Sequence, residues 1–190
     1  MINGHPHKRR ASIFIVILWI FSTAPPRALA QNDEEIEYPA KLAFLYNFAK
    51  FIEWPVASYR FSGAPFVLCI AGRDPFRPDD ESELRTRTVL GHPIQIRRLT
   101  GTSGVCNIAF IPATENDQAD NILRAFRGSS TLTVGEIQGF AARGGIINLT
   151  VERNRLSFEI NQQAAERAGL KISSKLLGLA KIVTDDQGRP

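Results

Sequence analysis

Apolar residues between Pro39 and Trp54 recur at helical spacing: Leu42, Leu45, Phe48 (or Ala49) and Ile52. Phe44, Tyr46 and Phe51 widen that face. The pattern predicts a helix over Pro39–Trp54, with Pro39 in its first turn, acidic residues ahead of it and Pro55 ending it. Pro65–Gly72 and Val105–Pro112 are short, continuous apolar runs bounded by Pro or Gly, the pattern of buried strands. Asp74-Pro75-Phe76 predicts a turn, and Asp79–Leu90 a polar surface helix. Pro93–Leu99 alternates Ile94 and Ile96 with polar residues, a strand with one wet face. After a loop at Thr100–Gly104, Thr114–Gly128 reads as a helix capped by Thr114, with Asp117 at N3 and Ala119, Ile122, Leu123 and Phe126 facing inward. Thr131–Val134 predicts a strand, Ile137–Arg143 a short helix closed by Gly144-Gly145, and Ile146–Val151 with Leu156–Ile160 a hairpin across Glu152–Arg155. Gln162–Ala168 predicts a helix stopped by Gly169. A last helix, capped by Ser173 or Ser174, carries Leu176, Leu177, Leu179, Ala180 and Val183.

Strands alternate with helices up to Val134, and a hairpin follows. The expected fold is therefore α/β: a three-layer sandwich with a mixed, mostly parallel sheet, a C-terminal antiparallel hairpin and flanking helices.

The N-terminus obeys a different logic. Basic His5–Arg10 is followed by an uncharged apolar run, Ala11–Phe21, then Pro25-Pro26 and the small-x-small triplet Ala28-Leu29-Ala30. This is a secretory signal peptide, with cleavage expected after Ala30. The run is too short for a membrane span, which takes roughly 20 apolar residues. The expected organisation is a signal peptide over 1–30, an acidic lead-in over 31–37, one α/β domain over 38–184 and a polar tail over 185–190. The mature product is expected to be extracytoplasmic, with no insertion into the membrane. Cys69 and Cys106, an even count in an oxidising compartment, are expected to pair. That bond would tie the first strand of the sheet to the third.

Charge narrows the choice of partner. Of 23 basic residues, Lys8, Arg9, Arg10 and Arg27 precede residue 31, which leaves 19 against 19 acidic ones. A nucleic-acid binder needs a basic face, and after residue 31 only Arg97-Arg98 are adjacent bases. Nucleic acid is not the expected partner. Catalytic machinery is also thin. His92 is the single His after residue 30, too few for a site built on paired His ligands. There is no G-x-S-x-G elbow and no phosphate-loop signature. Asp79, Asp80, Glu81 and Glu83 cluster, but as the polar start of a helix. Asn148-Leu149-Thr150 matches a glycosylation sequon but lies in a strand. The expectation is a binding protein with no catalytic residues, cofactor or metal.

Four segments carry a resemblance: Lys41–Pro55 (KLAFLYNFAKFIEWP), Phe66–Phe76 (FVLCIAGRDPF), Leu132–Ile147 (LTVGEIQGFAARGGII) and Phe158–Val183 (FEINQQAAERAGLKISSKLLGLAKIV). Together they resemble the YfiR family of bacterial periplasmic proteins over about residues 38–183. The resemblance implies a regulator that binds the periplasmic sensor domain of an inner-membrane diguanylate cyclase and holds it inactive. Sequestration by an outer-membrane peptidoglycan-binding lipoprotein would release cyclic di-GMP synthesis and biofilm formation. It also implies a homodimer and sensitivity to disulfide reduction. Cys69 and Cys106 match one family disulfide, whereas a second family pair near the hairpin has no counterpart in Ile146–Ile160.

Interfaces are dominated by aromatic anchors. Phe44, Tyr46, Phe51 and Trp54 are therefore candidate partner-binding residues, and Phe158, Glu159, Asn161, Leu170 and Ile172 form a second candidate patch. Competing accounts are the helix's own core contact and, for Glu159 and Asn161, capping. An alternative function is a small-ligand sensor with a pocket lined by Trp54 or Tyr59. A hydrolase would require His92 in a cleft beside a Ser and an acid.

Overall fold

The computed structural model describes residues 1, 28–58, 63–99, 101, 104–152 and 155–185, with side chains in the first helix described from Glu37 onward. Residues 2–27, which hold most of the expected signal peptide, and Tyr59 lie outside the described residues. In chain order the elements are α1 (Ala28–Lys50), β1 (Ile52–Glu53), β2 (Phe66–Ala71), α2 (Pro78–Arg85), β3 (Thr88–Val89), β4 (His92–Leu99), β5 (Ile108–Ile111), α3 (Ala119–Ala125), β6 (Leu132–Gly135), β7 (Ile147–Glu152), β8 (Arg155–Asn161), α4 (Gln162–Arg167), β9 (Lys171–Ile172), α5 (Ser174–Leu177) and β10 (Lys181–Val183).

Eight strands form one sheet in the order β10-β8-β7-β6-β5-β2-β4-β3, and β1 and β9 form a separate antiparallel pair. Strands β4, β2, β5, β6 and β7 run parallel; β3 is antiparallel to β4 and β8 to β7, while β10 runs parallel to β8. The mixed, mostly parallel α/β sheet read from the alternation of elements is the one observed. Every residue of β2, β5 and β6 is buried, as expected of strands covered on both faces. Period-two alternation sorts their side chains. Leu68, Ile70, Phe110 and Val134 join Leu42, Leu45 and Phe48 of α1 in one core, while Val67, Cys69, Ala109 and Ile111 join Ile122, Leu123 and Phe126 of α3 and its C-terminal cap in the other. Among the described residues no helix is long and apolar enough to cross a membrane.

Several boundaries differ from expectation, each for a local reason. Helix α1 runs through Pro39 instead of beginning there, and it ends at Lys50, short of Trp54. The chain leaves the helix because Ile52 and Glu53 pair with Ile172 and Lys171. Helix α2 stops at Arg85, since Thr88-Val89 fold back on His92-Pro93 as a hairpin. Leu90 and Gly91 both have positive φ there, 50° and 82°, as a two-residue primed turn requires. The expected helix over 114–128 is a 3-10 turn, Ala113–Gln118, followed by α3. Thr114 is not its cap: Pro112 stands at that position, and the Ala113 N–H is donated to Glu136 instead.

Ile137–Arg143 is a run of turns and not a helix. Gly139 at φ 70° breaks helical geometry in its middle. The turns wrap Phe140, which is wholly buried between Gly135 and Gly145. A Cβ at those glycines would lie 2.6 Å and 2.2 Å from the Phe140 ring, so only glycine lets the backbone close around it. The final helix covers only Ser174–Leu177, with Ser173 as cap. Val183, assigned to it from spacing, instead lies in β10 beside Asn161 of β8.

Cys69 of β2 and Cys106, just ahead of β5, form a disulfide with Cα atoms 5.8 Å apart. It joins adjacent strands beneath α3, with Cys69 and Cys106 only 1% and 8% exposed. Closing a loop of 37 residues restricts the unfolded chain by up to about 3.8 kcal/mol on the loop-entropy account. The double variant Cys69→Ser, Cys106→Ser should lose stability in chemical denaturation by an amount up to that figure. Wild type melted with reductant should approach the variant; identical melting with and without reductant would show that the bond adds nothing.

Candidate functional site

The two candidate patches, far apart in sequence, meet where Phe44 packs on Phe158, while Tyr46 and Trp54 reach away to β3 and β2. The C-terminal half of α1 lies over β8, where Phe44, Phe48 and Phe158 form an edge-to-face cluster with ring centroids 5.1–6.0 Å apart. Phe51 accepts a backbone hydrogen bond from Ser173 at 2.9 Å. The Ile52–Ile172 pairing then ties the exit of α1 to the segment after α4.

Within this region the structure separates frame from surface. Trp54, Phe158, Asn161 and Leu170 are buried. Trp54 packs on Phe66 with ring centroids 5.2 Å apart. Asn161 caps α4, its Oδ1 accepting the Ala164 N–H at 2.9 Å, while its Nδ2 donates to the Ala141 carbonyl at 2.8 Å. Burial of these four leaves their side chains to hold the frame. Phe44, Tyr46, Glu159 and Ile172 are half-buried and Phe51 is exposed. Tyr46 faces β3, with the Lys50 ammonium 3.9 Å and the Arg87 guanidinium 5.2 Å from its ring. Glu159 pairs with Lys181 at 2.8 Å and accepts from Asn148 at 3.3 Å. Burial resists its ionised form, but these two donors outweigh it and hold its pKa below the ordinary Glu value. Leu179 and Ile182, 76% and 50% exposed, lie beside this region on the terminal strand and its approach. Their exposure was not legible, because helical spacing assigns Leu179 to a buried stripe.

A second group of side chains, unforeseen from spacing, gathers at the carboxyl ends of the parallel strands. Lys41 is buried in the seam between α1 and the sheet. It pairs with Glu37 at 2.5 Å and with Glu136, just past β6. Burial would lower its pKa, but Glu136 and then Glu37 overcome that and raise it. The signal was one lysine within an apolar stripe and one glutamate directly after a buried strand. Nearby, Asp74 and Glu81 share the Arg98 guanidinium, and Glu81 also pairs with Arg85 at 3.2 Å. Asp74 Oδ1 accepts the Phe76 N–H at 2.8 Å. Its pKa is nonetheless raised: burial is the largest cause, reinforced by the neighbouring Glu81 carboxylate.

His92 is half-buried at the start of β4, with Nδ1 2.6 Å from the Ala64 carbonyl. A carbonyl can only accept, so Nδ1 carries the proton and the ring fastens two backbone segments. Trp54 lies against Phe66 and is not among the residues lining the cleft of about 520 Å³, which lies among α3, α4 and the turns after β6.

Removing one partner of a buried ion pair strands the other charge. Lys41→Met should cost about 3 kcal/mol in chemical denaturation, and the double variant Lys41→Met, Glu136→Gln should recover much of that loss. Equal losses in both would refute the coupling. For Asp74, a raised folded-state pKa means that the folded state takes up a proton more readily than the unfolded one. The associated stability is present at low pH and lost as pH rises through the raised value. Asp74→Asn should therefore melt above wild type at pH 7, with the gap closing towards pH 4. A gap that widens on acidification would reverse the sign.

A model of the YfiR/HmsC-like family matches residues 38–181. No curated protein matches the chain. The family match spans α1 from Tyr38 through every sheet strand and into β10, so it takes in both the aromatic seam and the Lys41–Glu136 pair. By that match, the chain belongs to the YfiR/HmsC-like family.

Proposed function

We propose that this chain is a periplasmic regulator that binds the sensor domain of an inner-membrane diguanylate cyclase, keeps it inactive and so lowers cyclic di-GMP and biofilm formation. The observation that carries this reading is membership of the YfiR/HmsC-like family over residues 38–181. The activity needs no chemistry from the regulator. A protein that binds the inactive cyclase more tightly than the active one shifts the population by that difference in affinity. A competing outer-membrane peptidoglycan-binding lipoprotein would relieve repression by mass action, and a homodimer would present two such surfaces.

The docking surface we assign is the β10 end of the sheet. Phe51, Leu179 and Ile182 expose apolar area there, and β10 is an edge strand. Exposed apolar side chains beside open backbone groups suit both modes of capture, apolar burial and strand addition. Half-buried Phe44 and Ile172, with the Glu159–Lys181 pair, would lie at its margin.

Deleting the gene should raise cellular cyclic di-GMP, and supplying the secreted protein should restore it. Leu179→Glu with Ile182→Glu should fold with an unchanged melting temperature yet fail to restore repression. An unchanged cyclic di-GMP level in the deletion strain would reject the repressor reading. Full complementation by the folded double variant would move the docking surface elsewhere.

A further inference from the structure

The cleft of about 520 Å³ lies among α3, α4 and the turns after β6, where Leu123 and Phe126 of the core beneath α3 meet Ile146 and Ala164 of the core beneath α1. Its size is that of a small-molecule site. Leu123, Phe126, Ile146 and Ala164, all buried, give it an apolar floor. Its charged lining is one-sided: Arg127, Arg143 and Arg167 against the single carboxylate of Asp185.

Each arginine is placed differently. Arg143 is held from behind, Nε donating to Asp120 at 3.0 Å and Nη1 to Asn116 at 3.2 Å. Arg127 is exposed and makes no ion pair among the described residues. Arg167 pairs with Asp185, which follows β10 near the chain's end. The other oxygen of Asp185 accepts from Nδ2 of Asn161. Asn161 is wholly buried, and its amide is oriented by the Ala164 N–H and the Ala141 carbonyl. The chain's own carboxylate thus occupies a preorganised acceptor position, with a rigid neutral donor on one side and a guanidinium on the other. Two further guanidinium groups line the same cleft.

We propose that this cleft binds a small organic anion, a carboxylate or phosphate on an apolar body, whose charged group displaces Asp185 from Arg167 and Asn161 while its body rests on the Leu123–Phe126 floor. Arg127 and Arg143 supply long-range attraction and a second contact. Asp185 acts as a built-in competitor that sets the affinity. Asp185 follows closely on β10, so the cleft adjoins the proposed docking edge, but its occupancy is read on the purified protein alone and does not depend on the cyclase.

The test is calorimetric titration and thermal shift on the purified chain with phenylacetate, phenyl phosphate, inorganic phosphate and neutral phenylacetamide. Saturable binding of phenylacetate or phenyl phosphate is expected, and the stronger of the two identifies the anionic group. Asp185→Ala should tighten binding at least about fivefold, by removing the competitor. Arg127→Ala, which breaks no ion pair among the described residues, and Arg167→Ala should each weaken it about tenfold, the loss of one charge-assisted contact. Phenylacetamide binding as well as phenylacetate would overturn the proposal, because the charge would then count for nothing. Inorganic phosphate matching phenyl phosphate would remove the role of the apolar floor. No saturable binding by wild type or by Asp185→Ala up to about 10 mM, weaker than any useful site, would reject the site outright.

Discussion

A charged side chain lies inside the seam between α1 and the sheet, and much of the architecture follows from how it is satisfied. Apolar packing alone is tolerant of small slides: Leu42, Leu45 and Phe48 could meet the sheet in several registers at similar cost. An ammonium buried among them cannot, since it must find its carboxylates. Lys41 finds Glu37 on its own helix and Glu136 at the end of β6. Glu136 in turn accepts the Ala113 N–H, which starts the turn after β5. One buried charge therefore fixes the position of α1 against two adjacent strand ends. Register then carries along the helix, setting Phe44 and Phe48 over Phe158 and delivering Ile52 to Ile172.

The two faces of the sheet are built for different ends. On the α1 side the rings of Phe44, Phe48, Phe76, Phe110 and Phe158 fill the space beneath one long helix. On the α3 side the residues are smaller, Val67, Cys69, Ala71 and Ala109, and the disulfide adds a covalent tie where packing has less to grip. From β6 outward that second face turns polar, with Thr133, Asn148, Glu159 and Asn161 alternating with Leu132, Val134, Ile147, Phe158 and Ile160 of the α1-side core. The cleft lies where this polar margin begins. A site of that kind needs a backbone that does not yield, and the Phe140 ring clasped by Gly135 and Gly145 provides it.

What could be read from the sequence was what depends on local pattern. The buried runs at Phe66–Ala71 and Ile108–Ile111, the hairpin of β7 and β8, a serine cap at 173 or 174 and the Cys69–Cys106 pairing all follow from neighbours in sequence or from parity of cysteines. What could not be read depends on partners distant along the chain. Helix α1 ends at Lys50 because Lys171 and Ile172 claim Glu53 and Ile52. Thr114 is no cap because Glu136 already satisfies the N–H of Ala113. Val183 lies in a strand because β8 offers an open edge beside it, and a period-3.6 pattern over a handful of residues cannot outweigh that. The site suffered in the same way. Aromatic content could not tell Trp54 and Phe158, which are buried, from Leu179 and Ile182, which are exposed.

The antiparallel pair of β1 and β9 has a consequence for the order in which the molecule is made. Ile52 lies about a quarter of the way along the chain, and its partner Ile172 is nearly at the end. Contacts so distant in sequence close late, after the loop entropy between them has been overcome. A chain synthesised from its N-terminus exposes the aromatic half of α1 long before β8 and β9 exist to cover it. Phe44 and Phe48 are thus a sticky surface until β8 has been made, and over that interval the growing chain is open to chaperone capture.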